Sequence, residues 1–288
     1  MQVVNPLTLS SRGPLLVHTH ANGYPPQAYR QFLKPFQQKF QVKAIFLRPF
    51  WPDTDPETLS DWRIFRDDYL RDLPALLENA EGGADSLIGM GHSLGAVTTL
   101  MAAIESPSSF RALVLIEPTL FRFWQGSLMR VLAPFRLFRH IHPLVRRTMR
   151  RKSSFPDQES MYENYRAKSV FARISDQVLE DYVAGLAERN LDGSVSLKYH
   201  PLWETRVYET GGTADRYVLN NLDRVTCPVL VVRGEKSDTI GPEIVNQLVR
   251  GLPAGEAIQV QALGHLLPLE APEQIAGIVL DFLARSLG

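Results

Sequence analysis

The sequence has 288 residues, of which 44% are hydrophobic and 22% are charged, which is the composition of an ordinary globular protein with a sizeable core. Lys and Arg number 31, as do Asp and Glu, so the formal net charge is zero and the chain as a whole does not attract nucleic acid. Cys227 is the one cysteine, which excludes an internal disulfide, and a cytoplasmic location fits such a chain best.

Short apolar runs alternate along the chain with longer segments of helical periodicity. The predicted strands are Leu15–His18, Lys43–Leu47, Ser86–Met90, Arg111–Ile116, Val229–Val232 and Ala257–Val260. The predicted helices are Gln27–Phe40, Ser60–Asn79, Leu94–Glu105, Glu243–Leu252 and Glu273–Leu287. This alternation predicts an α/β fold, with a mostly parallel sheet that helices cover on both faces.

One interval, residues 119–208, interrupts the alternation with aromatic and arginine-rich helical patterns and no convincing core strand. It is too long for a plain connection, since most loops are shorter than about 15 residues. We interpret it as an inserted, mainly helical cap, and residues 1–118 and 209–288 as the core domain. Within the cap, a turn at Asp192 predicts a minor hairpin or an extended arm over Asn190–Tyr199.

The sharpest local motif is Gly-His-Ser-Leu-Gly at residues 91–95, which matches G-x-S-x-G. It follows the predicted strand Ser86–Met90 and precedes the predicted helix that begins at Leu94. At such a junction a serine occupies a tight, strained turn, and the glycines are needed because side chains at their positions would collide with neighbouring backbone. The motif therefore predicts that Ser93 is a nucleophile.

A serine nucleophile needs a base to take its proton and an acid to hold that base in the correct tautomer. Asp238 follows the predicted strand Val229–Val232, and His265 follows the last predicted strand. Active sites of open α/β sheets assemble at the carboxyl ends of parallel strands, so we expect both side chains to meet Ser93. The chain order Ser93, Asp238, His265 is also the order that this scaffold uses.

Four segments together resemble the α/β-hydrolase fold family, in the form that carries a cap domain. They are GHSLG around Ser93, RGEKSD ending in Asp238, GHLLPLEAPE containing His265, and HANGYPP beginning at His20. The resemblance covers nearly the whole core, and the cap by position only. It implies an α/β-hydrolase fold and a hydrolase that requires no metal or organic cofactor.

The resemblance also implies an oxyanion hole. Counting along HANGYPP places Asn22 at the oxyanion position, with the backbone N–H of Leu94 as the second donor. The segment departs from the family pattern at Ala21, where glycine is common. Gly23 and Tyr24 therefore remain alternatives to Asn22.

Members of the family also carry the triad acid at a second place, after the strand that corresponds to Arg111–Ile116. This chain has Glu117 there. The sequence prefers Asp238 as the triad acid and leaves Glu117 as the alternative. A separate pair, His18 and His20, lacks carboxylate or cysteine neighbours, so we interpret both as structural and expect no metal site.

The predicted substrate pocket combines core and cap residues. They are His20, Tyr24 and His92 from the core, and Phe121 and Trp124 from the cap. An aromatic, apolar roof favours a substrate with a hydrophobic portion. The alternative is that the apolar cap residues form the core of the cap itself.

The cap also carries nine bases with no acid among them, between Glu117 and Asp157. They are Arg122, Arg130, Arg136, Arg139, Arg146, Arg147, Arg150, Arg151 and Lys152. Three interpretations remain open: a solvated surface, contact with an anionic membrane or lipid interface, and a binding site for an anionic substrate group.

No membrane span or secretory leader is expected. The longest uncharged run, Ser86–Ile104, is interrupted by glycines and polar residues, and we interpret it as a buried strand that leads into a buried helix. The first residues lack a basic stretch followed by an apolar one.

The leading hypothesis is a serine hydrolase that cleaves a carboxylic ester or related acyl bond of a hydrophobic small molecule through an acyl-enzyme. The same fold also serves C–C bond hydrolases, lactonases, thioesterases and perhydrolases, so the motifs do not select the bond. A non-catalytic ligand-binding protein is the alternative from another class. The sequence does not indicate the oligomeric state.

Overall fold

The computed structural model describes residues 5–78, 87–120 and 143–288. Its strands are β1 Leu7–Thr8, β2 Leu15–Thr19, β3 Gln41–Ile45, β4 Leu87–His92, β5 Phe110–Ile116, β6 Ser154–Phe155, β7 Ala187–Arg189, β8 Val195–Leu197, β9 Val229–Gly234 and β10 Gly255–Val260. Its helices are α1 Arg30–Leu33, α2 Arg63–Leu77, α3 Leu94–Glu105, α4 Pro143–Met149, α5 Gln158–Arg166, α6 Asp176–Leu186, α7 Pro201–Glu209, α8 Asp215–Leu219, α9 Pro242–Gly251, α10 Leu267–Glu270 and α11 Pro272–Leu287.

In these ranges seven strands form the central sheet, in the order β1-β3-β2-β4-β5-β9-β10. The pair β1–β3 is antiparallel, and every other neighbouring pair is parallel. Every residue of β2, β4 and β9 is buried, as apolar runs without alternation require. The predicted α/β fold with a mostly parallel sheet is confirmed.

One predicted helix differs in the structure. Instead of a single helix over Gln27–Phe40, the chain forms the short helix α1 between two 3-10 turns, Pro26–Tyr29 and Lys34–Gln38. Pro35 explains the break, because proline lacks the N–H that an α-helix needs and disfavours helical geometry at the preceding residue.

The chain between β5 and β9 inserts a second, smaller layer, described from residue 143 onward. It holds α4 to α7 and a three-stranded antiparallel sheet in the order β6-β8-β7, and α8 follows it before β9. The predicted hairpin is present as β7 and β8, and Gly193 in its turn has φ +85°, a region that favours glycine. The sequence did not indicate β6. We call residues 119–208 the insertion.

The insertion shares one hydrophobic core with the sheet, since the same cluster of buried side chains runs through both. Residues 121–142, which include the predicted pocket residues Phe121 and Trp124, lie outside the described residues. In the ranges that are described, no helix combines the length and the hydrophobicity needed to cross a membrane.

Candidate active site

Ser93 lies on the sharp turn between β4 and α3, in the centre of the sheet. Its backbone has φ 57° and ψ −118°, a strained conformation typical of functional positions. Its N–H donates to the carbonyl of Ile116 on β5, at 2.9 Å. A Cβ on Gly91 would overlap the backbone of Gly95, and a Cβ on Gly95 would overlap the carbonyl oxygen of Thr19. The glycines therefore allow α3 to start close against the sheet.

Three side chains form a continuous hydrogen-bonded series at the carboxyl ends of the strands. Ser93 Oγ lies 3.0 Å from His265 Nε2, and His265 Nδ1 lies 3.0 Å from Glu117 Oε2. An ionised carboxylate only accepts hydrogen bonds, so Nδ1 donates to Glu117 and Nε2 is left to accept the hydroxyl proton of Ser93. Thr119 Oγ1 is a second partner of Ser93 Oγ, at 2.8 Å. The serine and its base are thus arranged for proton transfer.

Glu117 is held in place from three sides although its side chain is fully buried. Its Oε1 accepts from the backbone N–H of Gly234 at 2.6 Å, and its Oε2 accepts from Ser237 Oγ at 2.5 Å as well as from His265. Its own N–H donates to the carbonyl of Val232 at 2.8 Å. These partners compensate the desolvation of the carboxylate and fix its orientation.

Asp238, the acid that the sequence preferred, is not brought to His265. It is exposed, and the hydrogen bond that the structure gives its carboxylate comes from Thr239 Oγ1, at 3.2 Å. The loop after β9 turns Ser237 inward, onto Glu117, and leaves the next residue facing solvent. This corrects the expected placement of Asp238: the structure puts the alternative, Glu117, against the histidine.

The segment around Asn22 runs beside the start of α3, since Gly95 packs on the backbone of Thr19 and His20. Within the described part of the chain, the backbone N–H groups of Asn22 and Leu94 donate to no other protein group. An oxyanion hole requires N–H groups without another acceptor, and both groups meet that requirement. Gly23, the glycine of this segment, has φ 76°, a backbone conformation that glycine adopts more readily than other residues.

The side chain of Asn22 is held by the insertion. Its Oδ1 accepts from the hydroxyl of Tyr199 at 2.5 Å, and its Nδ2 donates to the carbonyl of Glu204 at 3.3 Å. Asn22 as a whole is 8% exposed. The insertion therefore fixes the segment that carries the predicted oxyanion donor.

Contrary to the sequence-based expectation, His92 is fully buried and does not belong to the described lining of the cavity that Tyr24 lines. Its Nε2 donates to the backbone carbonyl of His265 at 2.9 Å, and its Nδ1 accepts from the hydroxyl of Tyr29 at 2.7 Å. That hydroxyl also accepts from the N–H of Ala21, at 3.1 Å. Tyr29, which no sequence motif indicated, thus connects the segment before Asn22 to the backbone of the catalytic base candidate.

His20 is buried as well, and it is absent from the described lining of a cavity of about 700 Å³. Its Nδ1 donates to the carbonyl of Ala21 at 2.8 Å, and its Nε2 accepts from the N–H of Leu47 at 3.0 Å. Its predicted pocket role is therefore corrected to a brace for the loop. Of the predicted core pocket residues, Tyr24 does line that cavity. Among the residues described, no group of three or more potential ligands is placed to hold a metal ion.

Three buried histidines, His18, His20 and His92, share one electrostatic property, and two of them, His18 and His92, pack on Tyr29. Burial lowers the pKa of His18 to about 3, with His20 as a second cause, and lowers the pKa of His20 to about 4. Burial, and next the charge of His265, hold the pKa of His92 well below its usual value. Both ring nitrogens of His18 lack a hydrogen-bond partner among the described residues. The folded state therefore favours all three rings in the neutral form.

We expect this cluster to make the protein acid-labile. Below pH 6.5 the unfolded chain binds protons that the folded chain does not, so the stability that is complete above pH 6.5 is lost as the pH falls. Between the folded and unfolded pKa values, each histidine lowers the free energy of unfolding by about 1.4 kcal/mol for each pH unit by which the pH falls. For the three histidines together the slope is about 4 kcal/mol per pH unit. Urea unfolding between pH 7 and pH 5.5, above the carboxylate range, measures the slope.

The matched variant is His18→Leu, which removes one ring and no hydrogen bond seen within the described residues. It should lower the pH slope by about a third. An unchanged slope in this variant, or no slope in the parent protein, would contradict the assignment.

Comparisons with known proteins show the family of this chain. A sequence model described as the alpha/beta hydrolase family matches residues 15–278. The chain belongs to the alpha/beta hydrolase family. An uncharacterized hydrolase of this family, YugF of Bacillus subtilis (strain 168), is 22% identical over 265 residues, which cover 89% of this chain and 85% of that protein.

Solved structures of alpha/beta hydrolases share the fold at low sequence identity. E-2-(acetamidomethylene)succinate hydrolase superposes with a TM-score of 0.75 at 19% identity, covering 96% of this chain and 93% of the other. An esterase from Thermogutta terrifontis gives 0.68 at 16% identity, covering 99% of each chain. A thioesterase domain of the curacin biosynthetic pathway gives 0.71 at 17% identity, covering 97% and 100%. At these identities the likeness shows the fold alone.

Proposed function

We propose that this alpha/beta hydrolase is a serine hydrolase that cleaves a carboxylic ester or a related acyl bond of a small molecule through an acyl-enzyme. The observation that carries the proposal is the series Ser93 Oγ, His265 Nε2, His265 Nδ1 and Glu117 Oε2, with 3.0 Å at each hydrogen bond. In this scaffold a serine on a strained strand-turn-helix junction is activated by a histidine that an acid orients.

The mechanism follows from the atoms in contact. His265 Nε2 takes the proton of Ser93 while Oγ attacks the substrate carbonyl, and the buried carboxylate of Glu117 stabilises the imidazolium that forms. The N–H groups of Asn22 and Leu94 hold the oxyanion. His265 then gives its proton to the leaving alcohol. Water, activated by the same nitrogen, releases the acid and restores Ser93.

We propose the insertion as a cap over this site. Support comes from its contacts with the oxyanion segment: Tyr199 binds the side chain of Asn22, and Gly185 packs on Pro25. The ring centroids of Tyr24 and Tyr182 lie 5.3 Å apart. The similar structures, which are an esterase, a thioesterase domain and E-2-(acetamidomethylene)succinate hydrolase, support hydrolysis in general and leave the bond open.

A cytoplasmic location remains part of the proposal. Cys227 is a buried free thiol, and burial raises its pKa to about 11, so it is mainly protonated at neutral pH. Such a cysteine is suited to packing in a reducing compartment.

The test is a series of 4-nitrophenyl esters with acyl chains of two to twelve carbons. We expect the purified protein to release nitrophenol well above the rate in buffer, with a preference that depends on chain length. The control is a panel of matched anilides, which distinguishes an ester hydrolase from an amidase. No release from any ester by folded protein would overturn the proposal.

A further inference from the structure

A cavity of about 700 Å³ lies between the insertion and the segment that follows Asn22. Its described lining contains six cationic side chains, four tyrosines and one acid, Glu204. The cationic residues are Arg146, Arg147, Arg150, Arg151, Lys152 and Lys168. The volume is typical of a site for a small molecule.

The positive charge of this cavity is largely uncompensated. Within the described ranges, Arg151 is the one member of the cationic set that forms a salt bridge, and its partner is Glu204. The ammonium group of Lys168 lies over the ring of Tyr165, 4.1 Å from the ring centroid. A concave surface lined by one sign of charge concentrates the electrostatic potential and attracts a counter-ion.

Arg151 is fixed in a defined orientation rather than left mobile in solvent. Its side chain is 9% exposed. Its Nη2 donates to the hydroxyls of Tyr165 at 2.6 Å and Tyr182 at 2.9 Å, while Nη1 contacts the carboxylate of Glu204. Both tyrosines line the cavity, and because their oxygens accept from Arg151, their hydroxyl hydrogens remain to be donated elsewhere. Arg151 thus holds two tyrosine hydroxyls at the wall of the cavity.

The pKa of Lys168 reflects the excess of positive charge around the cavity. Burial is the main cause that lowers its pKa to about 8, and the charges of Arg151 and Arg147 lower it further, against the opposing effect of Glu204. A bound anion would relieve this repulsion and raise the pKa again.

The cavity also adjoins the predicted oxyanion donor. Tyr24 and Gly23 line it, although Ser93, Glu117 and His265 are not in its described lining. Tyr24 follows Asn22 by two residues, so their Cα atoms are at most about 7.6 Å apart. A Cβ on Gly23 would lie 3.2 Å from Cδ of Glu204, so the Arg151–Glu204 pair packs directly on the oxyanion segment.

We propose that this cavity binds an anionic oxyacid group, a carboxylate or a phosphate, of the substrate whose acyl bond is cleaved at Ser93. The inference rests on the proposed function and names the substrate class for it. Arg151 orients the hydroxyls of Tyr165 and Tyr182 at the wall of this cavity, and Arg147 and Lys168 supply charge at the same wall. Charge-assisted hydrogen bonds of this kind are about twice as strong as neutral ones.

The test compares two matched esters, 4-nitrophenyl octanoate and the 4-nitrophenyl monoester of suberic acid, which differ by a terminal carboxylate. The ratio of their kcat/KM values, anionic over neutral, is expected to fall about tenfold in Lys168→Gln and in Arg147→Gln, mainly through KM. The protonation of His265 and Glu117 affects both esters equally, so it cancels in this ratio. Lys198→Gln is the control, because Lys198 is exposed and lies outside the described lining of the cavity.

Ratios that stay within twofold of the Lys198→Gln value in both variants would overturn the inference. Calorimetric titration with suberate separates this failure from that of the proposed function, because it needs no turnover. Binding that weakens about tenfold in Lys168→Gln supports the cavity even if no ester is hydrolysed, and unchanged or undetectable binding overturns it.

Two further arms identify the anion and its source. Tighter inhibition by octyl phosphate than by suberate assigns a phosphate as the anionic group, and the reverse assigns a carboxylate. If neither anion inhibits better than neutral dimethyl suberate, the inference is overturned. Sedimentation with phosphatidylglycerol vesicles that is lost in Lys168→Gln and Arg147→Gln, with unchanged ester ratios, would assign these bases to a membrane surface instead.

Discussion

Replacing Glu117 with glutamine is expected to lower kcat/KM about 10,000-fold on the best ester, whereas Asp238→Asn should change it by less than about threefold. The amide keeps the shape of the carboxylate and loses its charge. It no longer stabilises a protonated His265, and its NH2 group would favour the wrong tautomer of the ring. Asp238 is exposed and its carboxylate accepts from its neighbour Thr239, so its amide should be tolerated.

Stability has to be measured beside turnover, because Glu117 also accepts from Gly234 and Ser237. Ser237→Ala is the matched control: it removes one of these bonds and leaves the contact with His265, so we expect a loss of about tenfold or less. Thermal unfolding identifies any variant that has simply lost its fold. A large loss in Asp238→Asn together with near-normal Glu117→Gln would contradict the assignment of the acid.

Ser93→Ala is expected to lower kcat about a millionfold, while the fold is retained. Alanine fits the same space, and the strained backbone at φ 57° costs it no more than it costs serine. The informative comparison is the double variant Ser93→Ala/His265→Ala. Because the two side chains act as one unit, the double variant should be about as slow as Ser93→Ala alone.

Effects that multiply in the double variant would show that Ser93 and His265 act independently. That outcome would contradict the proton transfer between Oγ and Nε2. Esters with poor leaving groups are the sensitive substrates here, because their cleavage depends on the proton that His265 delivers.

The sheet could be predicted from local sequence because its strands are buried on both faces and appear as uninterrupted apolar runs. The predicted Ser86–Met90 and Val229–Val232 are β4 and β9, which each continue two residues further, to His92 and Gly234. Local signals were insufficient where tertiary contacts decide. Two-residue strands such as β6 owe their conformation to a partner strand, and Pro35 divides what periodicity alone presents as one helix.

The site shows the same division. Ser93 and His265 could be predicted because each lies in a local motif whose geometry its neighbours determine. The acid could not be predicted in the same way. Because β5 and β9 are adjacent and parallel, the loops that follow these two strands begin at the same edge of the sheet, on the side of His265. Which carboxylate turns inward depends on the path of those loops. Tyr29 is 63 residues from its partner His92 and carries no motif at all.

The central claim, that Ser93 is an activated nucleophile, is tested most directly by a fluorophosphonate probe and peptide mass spectrometry. The account predicts one adduct per chain, on Ser93, forming rapidly in the parent protein and at least about 1,000-fold more slowly in Glu117→Gln. Folded protein that forms no adduct on Ser93, or forms it as quickly without the carboxylate of Glu117, would contradict the account.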